Sequence, residues 1–138
     1  LDEKIIIDFK SNKADILFNS DNEQLSRVFL NLIKNSIESI QDKKIDNVDL
    51  IGKIDISLND SVEKINFIII DNGLGFEILA DDIKNILNPY FTTKKKGTGL
   101  GLSIVNKIIN DHNGKINFIS LENGAKIEII FTKWALKY

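Results

Sequence analysis

The sequence predicts an α+β fold, a two-layer sandwich in which helices cover one face of a sheet built from hairpins. Three observations lead there. Short apolar runs with period-two alternation recur as pairs joined by turn residues. Two segments instead carry apolar residues at spacings of three and four, which marks amphipathic helices. The helical segments interrupt the strand pairs rather than alternating with single strands, so the sheet is not an all-parallel one.

The elements follow in order. "EKIIIDF" and "ADILF", split by the turn-like "KSNKA", are expected to form a hairpin. "SDNEQLSRVFLNLIKNSIESIQDK" opens on Ser20 with Glu23 three residues on, the pattern of a capping box. Leu25, Val28, Phe29, Leu32, Ser36, Ile37 and Ile40 then form one stripe for burial. "GKIDISLND" and "EKINFIIIDNG" are two further strands. "FEILADDIKNILNPYFTTKKKGTG" is long and weakly periodic, with a short helix expected over residues 81–87 and loop elsewhere. Loops of that length are usually functional. "LGLSIVNKIINDHNG" is a second helix with Ile104, Ile108 and Ile109 on its apolar side and Asn113-Gly114 as its stop. "GKINFISLENGAKIEIIFTK" is a hairpin expected to turn at Asn123-Gly124.

Composition excludes several function classes. The chain has 138 residues, 43% hydrophobic and 28% charged, which suits one globular domain spanning 1–138. With no cysteine and a single histidine, His112, neither a thiolate site nor a multi-histidine metal centre can form. A net charge of −2 offers no basic field for nucleic acid. No apolar run reaches the roughly 18 residues of a membrane span, and "LDEKIIIDFK" lacks signal-peptide organisation.

Four constellations could carry chemistry. Asn31, Asn35 and Glu38 share one helix face, and the Asn35 carboxamide oxygen suits Mg²⁺, which takes few protein ligands and keeps its waters. By spacing alone they read more readily as solvated helix residues in a chain rich in asparagine. In "IIIDNGLGF", Asp71 ends an apolar strand and could accept a hydrogen bond from an exocyclic amine, with Gly73 and Gly75 admitting a planar ligand; the competing reading is a hairpin turn. "NPYFTTKKK" offers Tyr90 and Phe91 as lid anchors and Lys94, Lys95 or Lys96 to reach polyphosphate, against a solvated charge run. Finally, Gly97, Gly99 and Gly101 precede a helix whose unpaired N–H groups attract phosphate. Their spacing fits neither a P-loop nor a dinucleotide fingerprint, which leaves a phosphate loop of another kind or a hinge. His112 is expected to be a helix-end residue.

In combination and order, these segments resemble the catalytic, ATP-binding domain of sensor histidine kinases, within the superfamily that also holds gyrase, Hsp90 and MutL. "NLIKNSIES" resembles the N box, "DNGLGF" the G1 box, "PYFTTK" the F box and "GTGLGLS" the G2 box. The wording is most similar to nitrogen-regulation kinases of the NtrB/NtrY type. The resemblance implies a Bergerat (GHKL) ATPase fold with a mixed, mostly antiparallel sheet and a mobile ATP lid, and ATP and Mg²⁺ as cofactors. It implies that Asn35 ligates the metal, that Asn31 and Lys34 lie near the phosphates, and that Asp71 reads the adenine amine. Gly73, Gly75 and Phe76 would shape the base pocket. Thr92, Thr93 and Lys94 would belong to the lid, with Gly97, Thr98, Gly99, Leu100, Gly101 and Leu102 at its hinge and phosphate edge.

The implied activity is that of a histidine protein kinase in a two-component phosphorelay. The γ-phosphate would pass to a histidine on the protein's own dimerisation domain, expected upstream of Leu1, and thence indirectly to a response regulator. No phosphoacceptor motif occurs in these residues, so the chain alone is expected to be inactive in transfer. ATP-hydrolysing relatives place a glutamate base four residues before the metal asparagine; Asn31 stands there, which implies slow intrinsic hydrolysis. A homodimeric parent, a cytoplasmic location for this domain and no nucleic-acid partner follow, and an inner-membrane anchor in the parent stays open. The alternatives are a serine kinase of the anti-sigma type and a non-catalytic nucleotide-binding module.

Overall fold

In the computed structural model, the described residues are 4–15, 20–75 and 100–133. They form β1 (Ile5–Ser11), α1 (Asn22–Asp46), β2 (Gly52–Asp60), β3 (Lys64–Asp71), α2 (Leu100–Asp111), β4 (Gly114–Leu121) and β5 (Gly124–Thr132). The expected lid with its helix at 81–87 lies outside the described residues.

The five strands make one sheet in the order β1-β2-β3-β5-β4. Its three inner pairings, β2 with β3, β3 with β5 and β5 with β4, are antiparallel. The edge strand β1 instead runs parallel to β2, from Ile5 opposite Gly52 to Ser11 opposite Leu58. Most of the hairpin partner expected for β1, "ADILF", lies outside the described residues; among the described residues β1 pairs with β2, across α1. Parallel neighbours need a long crossover, and a 25-residue helix supplies it.

One core joins both helices to one face of the sheet. Leu25, Val28, Leu32 and Ile40 of α1 meet Val105, Ile108 and Ile109 of α2 over Ile54, Ile56, Ile65, Phe67, Ile69, Ile127, Ile129 and Phe131. Strict alternation in β3 and β5 puts every second residue into this layer. Phe29 of α1 packs on Phe67 of β3 with ring centroids 4.4 Å apart, which pins the helix to the centre of the sheet. The expected α1 stripe is present, with Phe29 and Ile37 at its half-buried margins.

Local details shift by a residue in several places. The helix α1 is capped by Asp21, whose Oδ1 accepts from the Gln24 N–H at 3.1 Å, rather than by Ser20. Asp-x-x-Gln has the same spacing as Ser-x-x-Glu, so two overlapping boxes compete and the sequence does not separate them. In α2, Ile104 is 39% exposed and Val105 is buried in its stead. The helix ends as expected, with Asn113 in the left-handed region at φ 57°. Leu121 pairs directly with Gly124, so the hairpin turns on Glu122-Asn123 and Gly124 already belongs to β5.

Two contacts fasten the periphery. His112 Nδ1 lies 2.8 Å from the Ile108 carbonyl while its Nε2 accepts from the Asp21 N–H at 3.1 Å, so the end of α2 is tied to the start of α1. That is the helix-end role expected of it. At the sheet end where β2 stops, buried Asp60 pairs with Lys133 and, at 3.2 Å, with Lys13. Asn12 brackets the same residue, its Oδ1 accepting from the Asp60 N–H and its Nδ2 donating to the Asp60 carbonyl, both at 2.8 Å. The Lys133 ammonium, foremost, holds the Asp60 carboxyl below its usual value, with Lys13 adding to the effect and burial opposing it.

A carboxylate whose pKa is lowered on folding stabilises the fold above its unfolded pKa, and that contribution is lost as pH falls through the folded value. Asp60→Asn should therefore be less stable than wild type at neutral pH, and the gap should close below about pH 4. Denaturant titrations of both proteins across pH 2–7 check this; a gap independent of pH would contradict it.

Candidate nucleotide site

The site grows from the end of β3. Asp71 is the last residue of that central strand, flanked by Ile54 of β2 and Ala125 of β5, and it is 6% exposed. A carboxylate this deep requires donors. The Ser36 hydroxyl of α1 donates to Asp71 Oδ2 at 3.0 Å, and the Gly73 N–H donates to Oδ1 at 2.9 Å. The second bond spans two residues, the Asx-turn geometry by which an aspartate bends the chain after it. The hairpin reading of Asn72-Gly73 is thereby excluded, since β3 pairs with β2 and β5 and its end turns towards α1.

Helix α1 supplies further fastenings one and two turns on. Ser39 Oγ accepts from the Leu74 N–H at 2.9 Å. Lys43 Nζ donates to the carbonyls of Asn72 and Gly73 at 3.1 and 3.2 Å. From the other side, Asn72 locks onto β2: its Oδ1 accepts from the Lys53 N–H at 2.8 Å and its Nδ2 donates to the Ile51 carbonyl at 2.9 Å. Residues 71–75 are thus a framed loop. The lid expected beyond it, over residues 76–99, lies outside the described residues.

The glycines here answer to protein packing as much as to any ligand. A Cβ on Gly73 would run into the Ser39 side chain. Gly75 has φ 77°, and a Cβ there would sit 2.6 Å from the Gly124 carbonyl oxygen. Gly124, at φ 151°, would drive a Cβ into the Asp71 carbonyl. The β4–β5 turn therefore backs directly onto the Asp71 loop.

Asn31, Asn35 and Glu38 are all half-buried along one flank of α1, beside the stripe that Ser36 continues inward. Lys34 is exposed and stands 4.0 Å from Glu38, a surface pair worth about 0.3–0.5 kcal/mol. A groove of about 560 Å³ runs along the first turns of α1, lined among the described residues by Asn22, Glu23, Ser26, Arg27, Leu30 and Asn31. Asn31 thus connects the groove to the Asn35 flank. Leu102 packs at the margin of the core. Leu100 and Gly101 open α2. Phe76, Thr92, Thr93, Lys94, Gly97, Thr98 and Gly99 lie outside the described residues, as do Tyr90 and Phe91.

Sequence reasoning missed Ser39, Lys43, Asn72, Arg27 and Gly124. Ser39 and Lys43 were detectable in principle, because 36, 39 and 43 share a helix face with the predicted pocket side of α1. Gly124 carried no local signal beyond a turn, since its partner lies more than fifty residues away in the chain.

The donor set also bears on a metal. No group of three or more His, Cys, Asp or Glu side chains among the described residues could enclose an ion. A single carboxamide oxygen such as that of Asn35 would suit Mg²⁺ only where a bound substrate and water fill most of the other positions.

An aspartate framed at the end of a central strand, on a mixed sheet with helices on one face, is the arrangement that comparison places in an ATPase family. The chain belongs to the HATPase_c family, the histidine kinase-, DNA gyrase B-, and HSP90-like ATPases, whose model matches residues 20–135. Among its relatives are the putative sensor histidine kinase NtrY-like of Rickettsia prowazekii, 35% identical over 95% of this chain, and sporulation kinase A of Bacillus subtilis, 37% identical over 94%. The chain spans about a fifth of each relative's length, 21% and 20%. The catalytic domain of histidine kinase ThkA, free of nucleotide, superposes with a TM-score of 0.77 at 34% identity, covering 94% of this chain and 79% of that one. ThkA in complex with the response regulator protein TrrA matches at a TM-score of 0.71 and 30% identity, over 96% of this chain and 36% of that one. The fold expected from the sequence, the α+β GHKL sandwich, is the one observed, and ATP is the nucleotide that the family implies.

Replacing Gly124 by Ala should destabilise the domain by about 2–4 kcal/mol, because the clash is with backbone and no side chain can yield. A lowered melting temperature together with weaker ATP binding is the expected outcome. A variant with wild-type melting would show that the turn and the Asp71 loop are not in contact.

Proposed function

We propose that this chain, acting as one domain over residues 1–138, binds Mg-ATP and donates the γ-phosphate to a histidine on a dimerisation domain of the same sensor kinase. That histidine would in turn supply a response regulator. The observation that carries the reading is the junction of α1 with β3. Asn35, the proposed metal ligand, immediately precedes Ser36, which holds Asp71, the proposed acceptor for the adenine amine. The proposed metal ligand and the residue that holds the proposed base acceptor then sit in a single turn of one helix. Family membership and the likeness to histidine kinase catalytic domains support the same reading.

The chemistry follows from the residues. Phosphoryl transfer needs positioning and charge stabilisation more than covalent help from the protein. A metal held by the neutral Asn35 carboxamide would offset charge on the phosphates, with Lys34 and the lid residues Thr92, Thr93 and Lys94 as further contacts. The glycine-rich segment from Gly97 to Gly101, leading into α2, would present helix N–H groups to the phosphate tail. Asn31 is neutral and cannot deprotonate water, so hydrolysis is disfavoured relative to transfer to an imidazole. The ThkA–TrrA complex shows a relative's kinase with a response regulator, and a similar partner is proposed for the full protein of which this domain would be the catalytic part, a dimer through its own helical domain and with the catalytic piece on the cytoplasmic side. Among the described residues no helix is long and apolar enough to cross a membrane.

Three outcomes test this. Mixed with the upstream helical domain and labelled Mg-ATP, the chain should place label on histidine; folded protein that gives none would refute the proposal. Asn35→Ala should abolish the gain in nucleotide affinity that Mg²⁺ confers, as read by titration with and without the metal. Without an acceptor, turnover should fall far below the roughly 1–10³ s⁻¹ of ordinary enzymes.

A further inference from the structure

We infer that Ser36 is a positioning residue for base selection, its hydroxyl orienting Asp71 as an acceptor specific for an exocyclic amine. The inference rests on the reading of Asp71 as the base acceptor. Ser36 is 2% exposed and lies in the α1 stripe between Leu32 and Ile40, both wholly buried. Alanine there would favour the helix and avoid burying a hydroxyl, so folding alone gives no reason for serine. Its partner supplies one. The hydroxyl donates to Asp71 Oδ2 while the Gly73 N–H donates to Oδ1, so each carboxylate oxygen has its own donor and the plane of the group is fixed.

The consequence is directional. With a donor already on each oxygen, the carboxylate is oriented to meet a further donor as an acceptor. A fixed acceptor matches the amine of adenine and opposes the carbonyl oxygen that hypoxanthine carries at the same position. Sites built around one polar match discriminate far more strongly than shape alone. The Gly73 N–H is backbone and common to any side chain, whereas the Ser36 hydroxyl is a donor that sequence can change. It also follows Asn35 directly, about 100° around the helix, so its bond sets the base acceptor at a fixed offset from the metal ligand.

The test compares binding of ADP and IDP to wild type, Ser36→Ala and Asp71→Asn, with melting curves to confirm the fold of each. Ser36→Ala should weaken ADP roughly tenfold and IDP by less than about twofold, compressing the preference for adenine. A preference unchanged in Ser36→Ala overturns the inference, and so does an equal loss of both nucleotides, which would mark a structural role. Asp71→Asn should erase the preference. If it does while Ser36→Ala retains it, the Ser36 inference alone falls. If Asp71→Asn keeps the preference, the reading of the base site falls and the inference with it.

Discussion

A carboxylate buried at the end of the central strand is the constraint around which this domain is arranged. Left without donors, a charge in such a place costs several kcal/mol. Asp71 meets that demand by taking a hydroxyl from α1 and an N–H from its own loop. Each bond has a structural price of position: α1 must cross β3 at Ser36, and the chain must bend at Gly73. Once it bends, the freed carbonyls of Asn72 and Gly73 need a donor, and Lys43 provides it two turns along the same helix. The Asn72 side chain then closes the frame against β2. The loop is stiff because each satisfied group exposes the need of the next.

The two ends of the sheet solve the same problem differently. Asp60 and Asp71 stand six pairing positions apart along β2 and its partner, roughly 20 Å at strand rise. Asp60 is balanced by the ammonium groups of Lys13 and Lys133, which joins the segments following β1 and β5 to the end of β2. Ion pairs are weakly directional, and they suit a place where strand ends need only be held together. Asp71 is met by a hydroxyl and a backbone N–H, which are strongly directional. Direction is what a binding group needs, so the chemistry of the donors separates the structural carboxylate from the candidate recognition one.

What could be read from the sequence was what local periodicity encodes. The α1 stripe, β2 from Gly52 to Asp60 and the stop at Asn113 all follow from spacings within one element. The proposed site residues on α1 and at Asp71 were singled out by motif order, which adds long-range information that spacing lacks. The errors fall where two local answers are equally good. Ser20 and Asp21 both begin a capping box, and Asn123-Gly124 is a strong turn signal one residue out of register with the pairing that the sheet imposes. Ile104 and Val105 are both apolar, and only the angle at which α2 meets α1 and β4 decides which is buried. The pairing of β1 was out of reach for a different reason. An adjacent strand-like run is the default partner, whereas β1 turns to one more than forty residues away.

The direction in which Asn35 points is a further consequence of packing rather than of polar contacts. Leu32 and Ile40, one turn either side of Ser36, are entirely buried, and Val28 and Leu25 continue the line. Interiors of this density do not let a helix rotate about its axis without opening voids. With the rotation of α1 fixed by that row, Ser36 faces inward to Asp71 and Asn35 faces the flank that also carries Asn31. Phe29 on Phe67 resists sliding along the axis as well. The proposed site, with one group read as metal-directed and one as base-directed, would thereby inherit its dimensions from an apolar seam. The seam explains why "NLIKNSIES" alternates the two kinds of residue so closely: each polar position is read against the hydrophobic one beside it.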